Sequence, residues 1–228
     1  MSVQLKTNAL LAGMATGGLI AAGLIGLGAP TASAASGCSD VEVVFARGTA
    51  EPVGVGREGQ AFVDALKGDV KGKAVGVYAV NYPASYDFMQ ATAGANDASA
   101  HVQATVAACP GTKIVLGGYS QGAAVIDGIT GDPGALFGLG QPMPAEVANH
   151  VAAVAVFGNP LNRFGGSLTA LSSLYGAKTV DLCNGADPVC SSGDDRPAHS
   201  LYVESGLTSQ AASFAADRVK GGPVPSNA

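Results

Sequence analysis

Apolar positions along this chain recur with two periods, one of strands and one of helices. The β-branched run Val41-Glu42-Val43-Val44-Phe45-Ala46, ended by Arg47-Gly48, predicts a short strand. Residues 58–70 place Ala61, Phe62, Ala65 and Leu66 on one helical face and stop near Gly72. A second strand is predicted over 74–82, broken by Pro83. A helix follows over 96–108, with Val102, Val106 and Ala107 apolar and a stop at Pro110-Gly111. The run Lys113-Ile114-Val115-Leu116-Gly117-Gly118 reads as a third strand, 121–129 as a helix, 151–157 as a fourth strand and 178–182 as a short fifth. A helix over 208–219 closes the pattern. Nearly continuous apolar strands separated by helices predict a parallel sheet covered on both faces, an α/β fold of three layers. Two Gly/Pro-rich stretches, 131–149 and 158–177, read as surface loops, and 221–228 as a flexible tail.

The first 34 residues follow a different pattern. Lys6 is the only charge before Asp40, an apolar Gly/Ala-rich stretch runs from Ala9 to Gly28, and Ala32-Ser33-Ala34-Ala35 supplies an A-x-A exit. A basic start, an apolar middle and a small-residue exit describe a secretory signal peptide. A single membrane anchor is the alternative, since the stretch has about the length of a bilayer span. Cleavage after Ala34 leaves 35–220 as one domain with a sizeable core.

Removal of that leader leaves 11 basic residues against 17 acidic ones, a net charge of −6. With no basic run, the balance argues against nucleic-acid binding and against charge-driven adhesion to anionic lipid. All four cysteines, Cys38, Cys109, Cys183 and Cys190, lie beyond the leader. An even number in a secreted chain implies two disulfides. Three pairings exist, and chain order favours Cys38–Cys109 with Cys183–Cys190. The lack of Cys-x-x-Cys spacing or paired histidines speaks against a zinc site. No metal and no cofactor are expected.

The third strand runs directly into Gly118-Tyr119-Ser120-Gln121-Gly122, a G-x-S-x-G sequence in a strand-to-helix context. A serine on so tight a turn has a strained backbone, so the residues two positions away must be small. The helix that follows points its amides at the hydroxyl. A serine hydroxyl needs a base. His101 falls within a predicted helix and His150 just before a strand, and both read as surface residues. His199 follows the fifth strand in Arg196-Pro197-Ala198-His199, where the chain order Ser…Asp…His of such folds wants it. The orienting acid should lie between Ser120 and His199. Asp127, Asp132, Glu146, Asp181, Asp187, Asp194 and Asp195 all qualify by position. Asp187 is favoured, because it follows the fifth strand inside the Cys183–Cys190 ring and precedes Pro188; Asp194 and Asp195 are the fallback. The N–H of Gln121 supplies one oxyanion donor. Arg47-Gly48-Thr49 offers an amide and a hydroxyl for a second, although Thr49 reads equally well as an ordinary turn residue.

Together, Val43-Val44-Phe45-Ala46-Arg47-Gly48-Thr49, Gly117-Gly118-Tyr119-Ser120-Gln121-Gly122, and Cys183-x-x-x-Asp187-Pro188-x-Cys190 followed by His199 resemble the cutinase family. The likeness is greatest to the cutinase-like proteins of mycobacteria and related actinobacteria. The resemblance implies a lidless α/β-hydrolase with a five-stranded parallel sheet. It also implies the disulfides Cys38–Cys109 and Cys183–Cys190, a Ser120–Asp187–His199 triad, and Thr49 as oxyanion donor beside Gln121. The family pattern often has serine where this chain has Thr49, and a β-branched hydroxyl alters that donor's rotamer.

The resemblance implies a secreted serine esterase, extracellular or associated with the cell envelope, acting on short- or medium-chain acyl esters. A phospholipase or acyltransferase acting on envelope lipids is the alternative, since the acyl-enzyme stage is shared. A non-catalytic surface-binding protein is a second one. Transient contact with a lipid surface and a monomeric state are expected. Leu136, Phe137, Leu139 and Met143 in one loop, with Leu161, Phe164 and Leu168 in the other, are candidates to line an open substrate groove, or they pack beneath their own loops.

Overall fold

A computed structural model describes residues 37–134, 140–164 and 166–221. The signal peptide assigned to 1–34, the tail beyond Gly221, and the groove candidates Leu136, Phe137 and Leu139 lie outside the described residues. Five strands form one parallel sheet: β1 (Val41–Ala46), β2 (Val75–Ala79), β3 (Lys113–Tyr119), β4 (Val151–Phe157) and β5 (Thr179–Leu182). Their spatial order is β2-β1-β3-β4-β5. The chain thus builds outward from β1 in one direction, crosses back, and continues from β3 in the other. The carboxyl ends of β1 and β3 flank the point where the order reverses, the place where open α/β sheets bind ligands.

The longer helices are α1 (Gly56–Asp69), α2 (Ala91–Ala108), α3 (Gln121–Thr130) and α6 (Leu207–Val219), with one-turn helices α4 (Leu161–Phe164) and α5 (Leu168–Leu171) between β4 and β5. On one face, Phe62 and Leu66 of α1 and Ala211, Ala212 and Ala215 of α6 bury Val43, Phe45, Val115 and Phe157. On the other, Ala95, Ala98 and Val102 of α2 and Val125 and Ile129 of α3 cover Val44, Leu116, Val154 and Val156. Alternate residues of each strand feed opposite cores, which accounts for the unbroken apolar runs. No described helix is long and apolar enough to cross a membrane.

The predicted strands and helices correspond to observed ones within a few residues, apart from the start of α2. That helix begins at Ala91 rather than at 96, because Asp87 accepts a hydrogen bond from the Met89 N–H and nucleates a short 3-10 turn leading into it. The described groove candidates divide between the two alternatives. Met143 and Leu168 are buried in the core between the sheet and α2/α3, since the segments carrying them fold back on the domain. Leu161 and Phe164 do line a cleft. His101, read as a surface residue, is partly buried: its ring stacks on Tyr78, centroids 3.5 Å apart, and Nε2 lies 3.0 Å from Glu42 Oε1.

Disulfides join Cys38 to Cys109 and Cys183 to Cys190. The first ties the segment before β1 to the end of α2; the second closes a loop immediately after β5.

Candidate active site

Ser120 sits at the N-cap of α3 with φ 55° and ψ −117°, a conformation a non-glycine residue adopts only under constraint. The constraint is visible. Its N–H donates to the Phe157 carbonyl at 2.9 Å, and its carbonyl accepts from the Ala123 N–H at 2.9 Å. The two flanking glycines pass backbone against backbone: a Cβ on Gly118 would stand 2.2 Å from the Gly122 oxygen, and one on Gly122 would stand 1.9 Å from the Ala46 oxygen. The G-x-S-x-G spelling is therefore a packing requirement of the turn, which fixes the serine at the mouth of the sheet.

His199 comes to this serine from the opposite end of the fold. A 3-10 turn, Arg196–Ser200, carries it, with Asp195 as N-cap accepting from the Ala198 N–H. Asn184 Nδ2 donates to the Ala198 carbonyl at 2.7 Å, and the Tyr119 hydroxyl donates to the His199 carbonyl. His199 Nε2 lies 2.9 Å from Ser120 Oγ, and Nδ1 lies 2.7 Å from Asp187 Oδ2. Gly158 leaves space for this imidazole: its φ is +57°, and a Cβ there would meet His199 Cε1 at 2.9 Å.

Asp187 is fully buried. Its Oδ1 accepts from the Val189 N–H at 2.8 Å, and its Oδ2 accepts from the Tyr202 hydroxyl at 2.6 Å as well as facing the imidazole. A carboxylate so surrounded by donors is an acceptor only, so Nδ1 carries the imidazole proton and Nε2 is free to accept from the serine. Burial, with the carboxylate beside it, holds the Tyr202 hydroxyl protonated far above the usual tyrosine range. Four of the six remaining acidic candidates are engaged elsewhere. Asp132 bonds Ser173, Asp195 caps the turn before His199, and Asp181 accepts from Asn159, Asn162 and Ser167. Asp127 lies on α3, its Oδ1 accepting from Asn159.

Thr49 follows β1 across the sheet's reversal point. The buried Arg47 braces its loop: Nε donates to the Glu51 carbonyl at 3.0 Å, and a terminal nitrogen donates to the Tyr82 carbonyl at 2.8 Å. Glu51 accepts from the Gly48 and Arg57 N–H groups at 2.6 and 2.8 Å, and the Ala50 N–H donates to Ala84. Within this held loop the Thr49 hydroxyl is buried without a hydrogen-bond partner among the described residues. The N–H of Gln121, first residue of α3, has no acceptor within the helix, and its side chain donates to the Ser85 carbonyl at 2.9 Å. Thr49, Ser120 and Gln121 all line one cleft of about 580 Å³. Tyr86, Phe88, Pro160, Leu161 and Phe164 also line it.

Several of these groups escape a reading of the sequence. Tyr202, Tyr119, Asn184, Arg47 and Gly158 position the site through tertiary contacts that leave no local signature. Tyr86 and Phe88 stand in the stretch between the second strand and the helix start predicted at 96, where the apolar pattern predicts no element.

A tight serine-bearing turn after the third strand of a parallel sheet, with an imidazole and a buried carboxylate arriving on later loops, is the arrangement of an α/β-hydrolase of the serine-esterase class. The cutinase family model matches residues 37–219, and the chain belongs to that family. It is 54% identical over 191 residues to phospholipase Culp4 of Mycobacterium tuberculosis, covering 84% of this chain and 83% of that protein. It is 53% identical over 195 residues to carboxylesterase Culp1 of the same organism, covering 82% and 85%. Among solved structures it is similar to Trichoderma reesei cutinase in complex with a phosphonate inhibitor, at 32% identity and TM-score 0.65, covering 80% of this chain and 77% of that one. An acetylxylan esterase superposes with TM-score 0.69 at 25% identity, covering 80% and 99%. The protein is a carboxylic ester hydrolase whose substrates are small-molecule esters.

Proposed function

We propose that this esterase cleaves short- and medium-chain acyl esters through an acyl-enzyme on Ser120, with His199 as general base and Asp187 as its orienting acid. The observation that carries the reading is the continuous chain Ser120 Oγ, His199 Nε2, His199 Nδ1, Asp187 Oδ2, with links of 2.9 and 2.7 Å. As Ser120 Oγ attacks the carbonyl carbon, its proton passes to His199 Nε2, and Asp187 stabilises the imidazolium. The oxygen of the tetrahedral adduct takes the charge beside the Gln121 N–H and the unpaired Thr49 hydroxyl. Nε2 then returns the proton to the departing alcohol. Water, losing a proton to the same nitrogen, attacks the acyl-enzyme, and the acid leaves as Ser120 recovers its hydrogen.

Two disulfides and the leader-like first 34 residues support a secreted protein, acting as a monomer. A second reading, action on lipid esters at a surface, is favoured by the cleft rim. Of the residues lining the cleft, Tyr86 is 78% exposed, Phe88 59% and Phe164 75%, an apolar rim suited to transient contact with lipid. The similarity to a relative named phospholipase fits this reading.

The test is hydrolysis of nitrophenyl esters by wild type and Ser120→Ala. Loss of the nucleophile should lower the rate on the order of 10⁴–10⁶-fold, and undiminished turnover in the variant contradicts the reading. A phospholipid substrate, with and without an added alcohol, separates hydrolysis of small esters from lipase and transferase action.

A further inference from the structure

A helical turn leaves its last carbonyl groups to outside donors. In the turn Arg196–Ser200, three successive carbonyls receive side chains from three different parts of the chain. Asn184 Nδ2 donates to Ala198, the Tyr119 hydroxyl to His199, and Arg57 Nη1 to Ser200 at 2.8 Å. Asn184 follows β5, and Tyr119 immediately precedes Ser120. Arg57 comes from elsewhere. It is the second residue of α1, and it is not among the residues that line the cleft.

Two acids fix its guanidinium. Glu58, whose side chain is buried, accepts from Nη1 at 3.2 Å, and Glu204 pairs with Nη2. A planar fork with acceptors on both terminal nitrogens has little freedom left. The backbone of the same residue serves the loop after β1. Its N–H donates to Glu51 Oε1 at 2.8 Å, while Glu51 Oε2 accepts from the Gly48 N–H at 2.6 Å. Gly56 makes room for that carboxylate: its φ is +73°, and a Cβ there would stand 2.3 Å from Glu51 Oε2. A negative charge also suits the first turn of α1. The loop that carries Thr49 is thus joined to the turn that carries His199 through Glu51 and Arg57.

We propose that Arg57 is a positioning residue: with Glu51 it sets the His199 imidazole and the Thr49 loop at a fixed separation, so that proton transfer from Ser120 and stabilisation of the oxyanion act on the same carbonyl group. This rests on the Ser120 reading above, which alone gives the two segments a common task. Ion pairs at the surface add little to stability, and the Arg57 side chain is half-exposed. Rate is the more sensitive quantity, since a displacement of about 1 Å costs on the order of 100-fold.

The test measures kcat and KM for nitrophenyl butyrate, and counts active sites by the label that an alkylphosphonate leaves on Ser120 at completion. In Arg57→Met, kcat per labelled site should fall on the order of tenfold, with KM unchanged. Arg57→Lys keeps a charge beside Glu58 but loses the fork, and should lie between that variant and wild type. An Arg57→Met enzyme with the wild-type kcat per labelled site overturns the proposal. So does a loss that takes the form of fewer labelled sites alone, the sign of a folding role. If Arg57→Met does not fold, Glu204→Gln decides. That change frees Nη2 at an exposed position and should lower kcat per labelled site about threefold; an unchanged value overturns the proposal. A wild type that turns over no ester and takes no label contradicts the nucleophile reading instead, so the two failures are distinct.

Discussion

The Tyr202 hydroxyl donates to Asp187 Oδ2 at 2.6 Å, the same oxygen that faces His199 Nδ1 at 2.7 Å. One carboxylate oxygen thus holds an imidazole and a phenol, and the phenol in turn accepts from the Asn184 N–H at 3.1 Å. Tyr202 is fully buried beside Phe157 and Tyr119, so the carboxylate is located by a rigid ring. Tyr202→Phe keeps the ring and deletes the bond. We expect kcat to fall about tenfold, roughly 1.4 kcal/mol, with KM unchanged. Steady-state kinetics beside a melting curve check this, and an unchanged kcat contradicts the positioning role.

Thr49 is the next lever. If its buried, unpartnered hydroxyl donates to the oxyanion, Thr49→Val, which preserves shape, should cost on the order of 10²–10³ in kcat. Thr49→Ser, which restores a hydroxyl, should recover most of it. Equal activity in the valine variant would assign the second donor to the backbone alone.

The Cys183–Cys190 ring is short, with a sequence separation of 7. Loop-closure entropy assigns it about 2.5 kcal/mol, against about 4 kcal/mol for the long Cys38–Cys109 ring. Asp187 lies inside the short ring, so its reduction should impair activity more than global stability. Replacing both cysteines by serine, with kcat and melting temperature measured together, checks this; proportionate losses of the two would count against it.

Asp127 gives a stability signature of defined sign. An unfolded chain releases its proton near the ordinary value of 3.8, whereas burial makes the folded chain hold it to higher pH. In that window the native state binds more protons, so stability falls as pH rises. The contribution is complete below the unfolded value and lost as pH climbs through the native one. Asp127→Asn cannot titrate. Its melting temperature relative to wild type should therefore rise as pH climbs above the unfolded value of 3.8; a constant difference contradicts the assignment.

What the sequence makes legible is what local rules govern. The apolar runs of β1, β3 and β4 feed two cores, and the spacing of Gly118, Ser120 and Gly122 answers to a backbone clash that any such turn meets. Chain order and the cysteines around the acid single out Asp187 and His199, whose side chains the fold brings together. Tyr202, Arg47 and Gly158 stay hidden, because each acts through a partner distant in the chain: the Tyr202 hydroxyl on Asp187, Arg47 on the Tyr82 carbonyl, Gly158 beneath the His199 ring. The sequence leaves the groove open at Met143 and Leu168 for a related reason, since an apolar residue in a loop carries no mark of whether the loop turns it inward.

In the proposed mechanism Ser120 is a nucleophile activated by His199. Labelling with an active-site alkylphosphonate, followed by mass spectrometry of the peptides, tests it most directly. A single adduct on Ser120, formed by wild type and lost in His199→Ala, is the expected outcome. An adduct on another residue, or none on the folded wild-type protein, would contradict it.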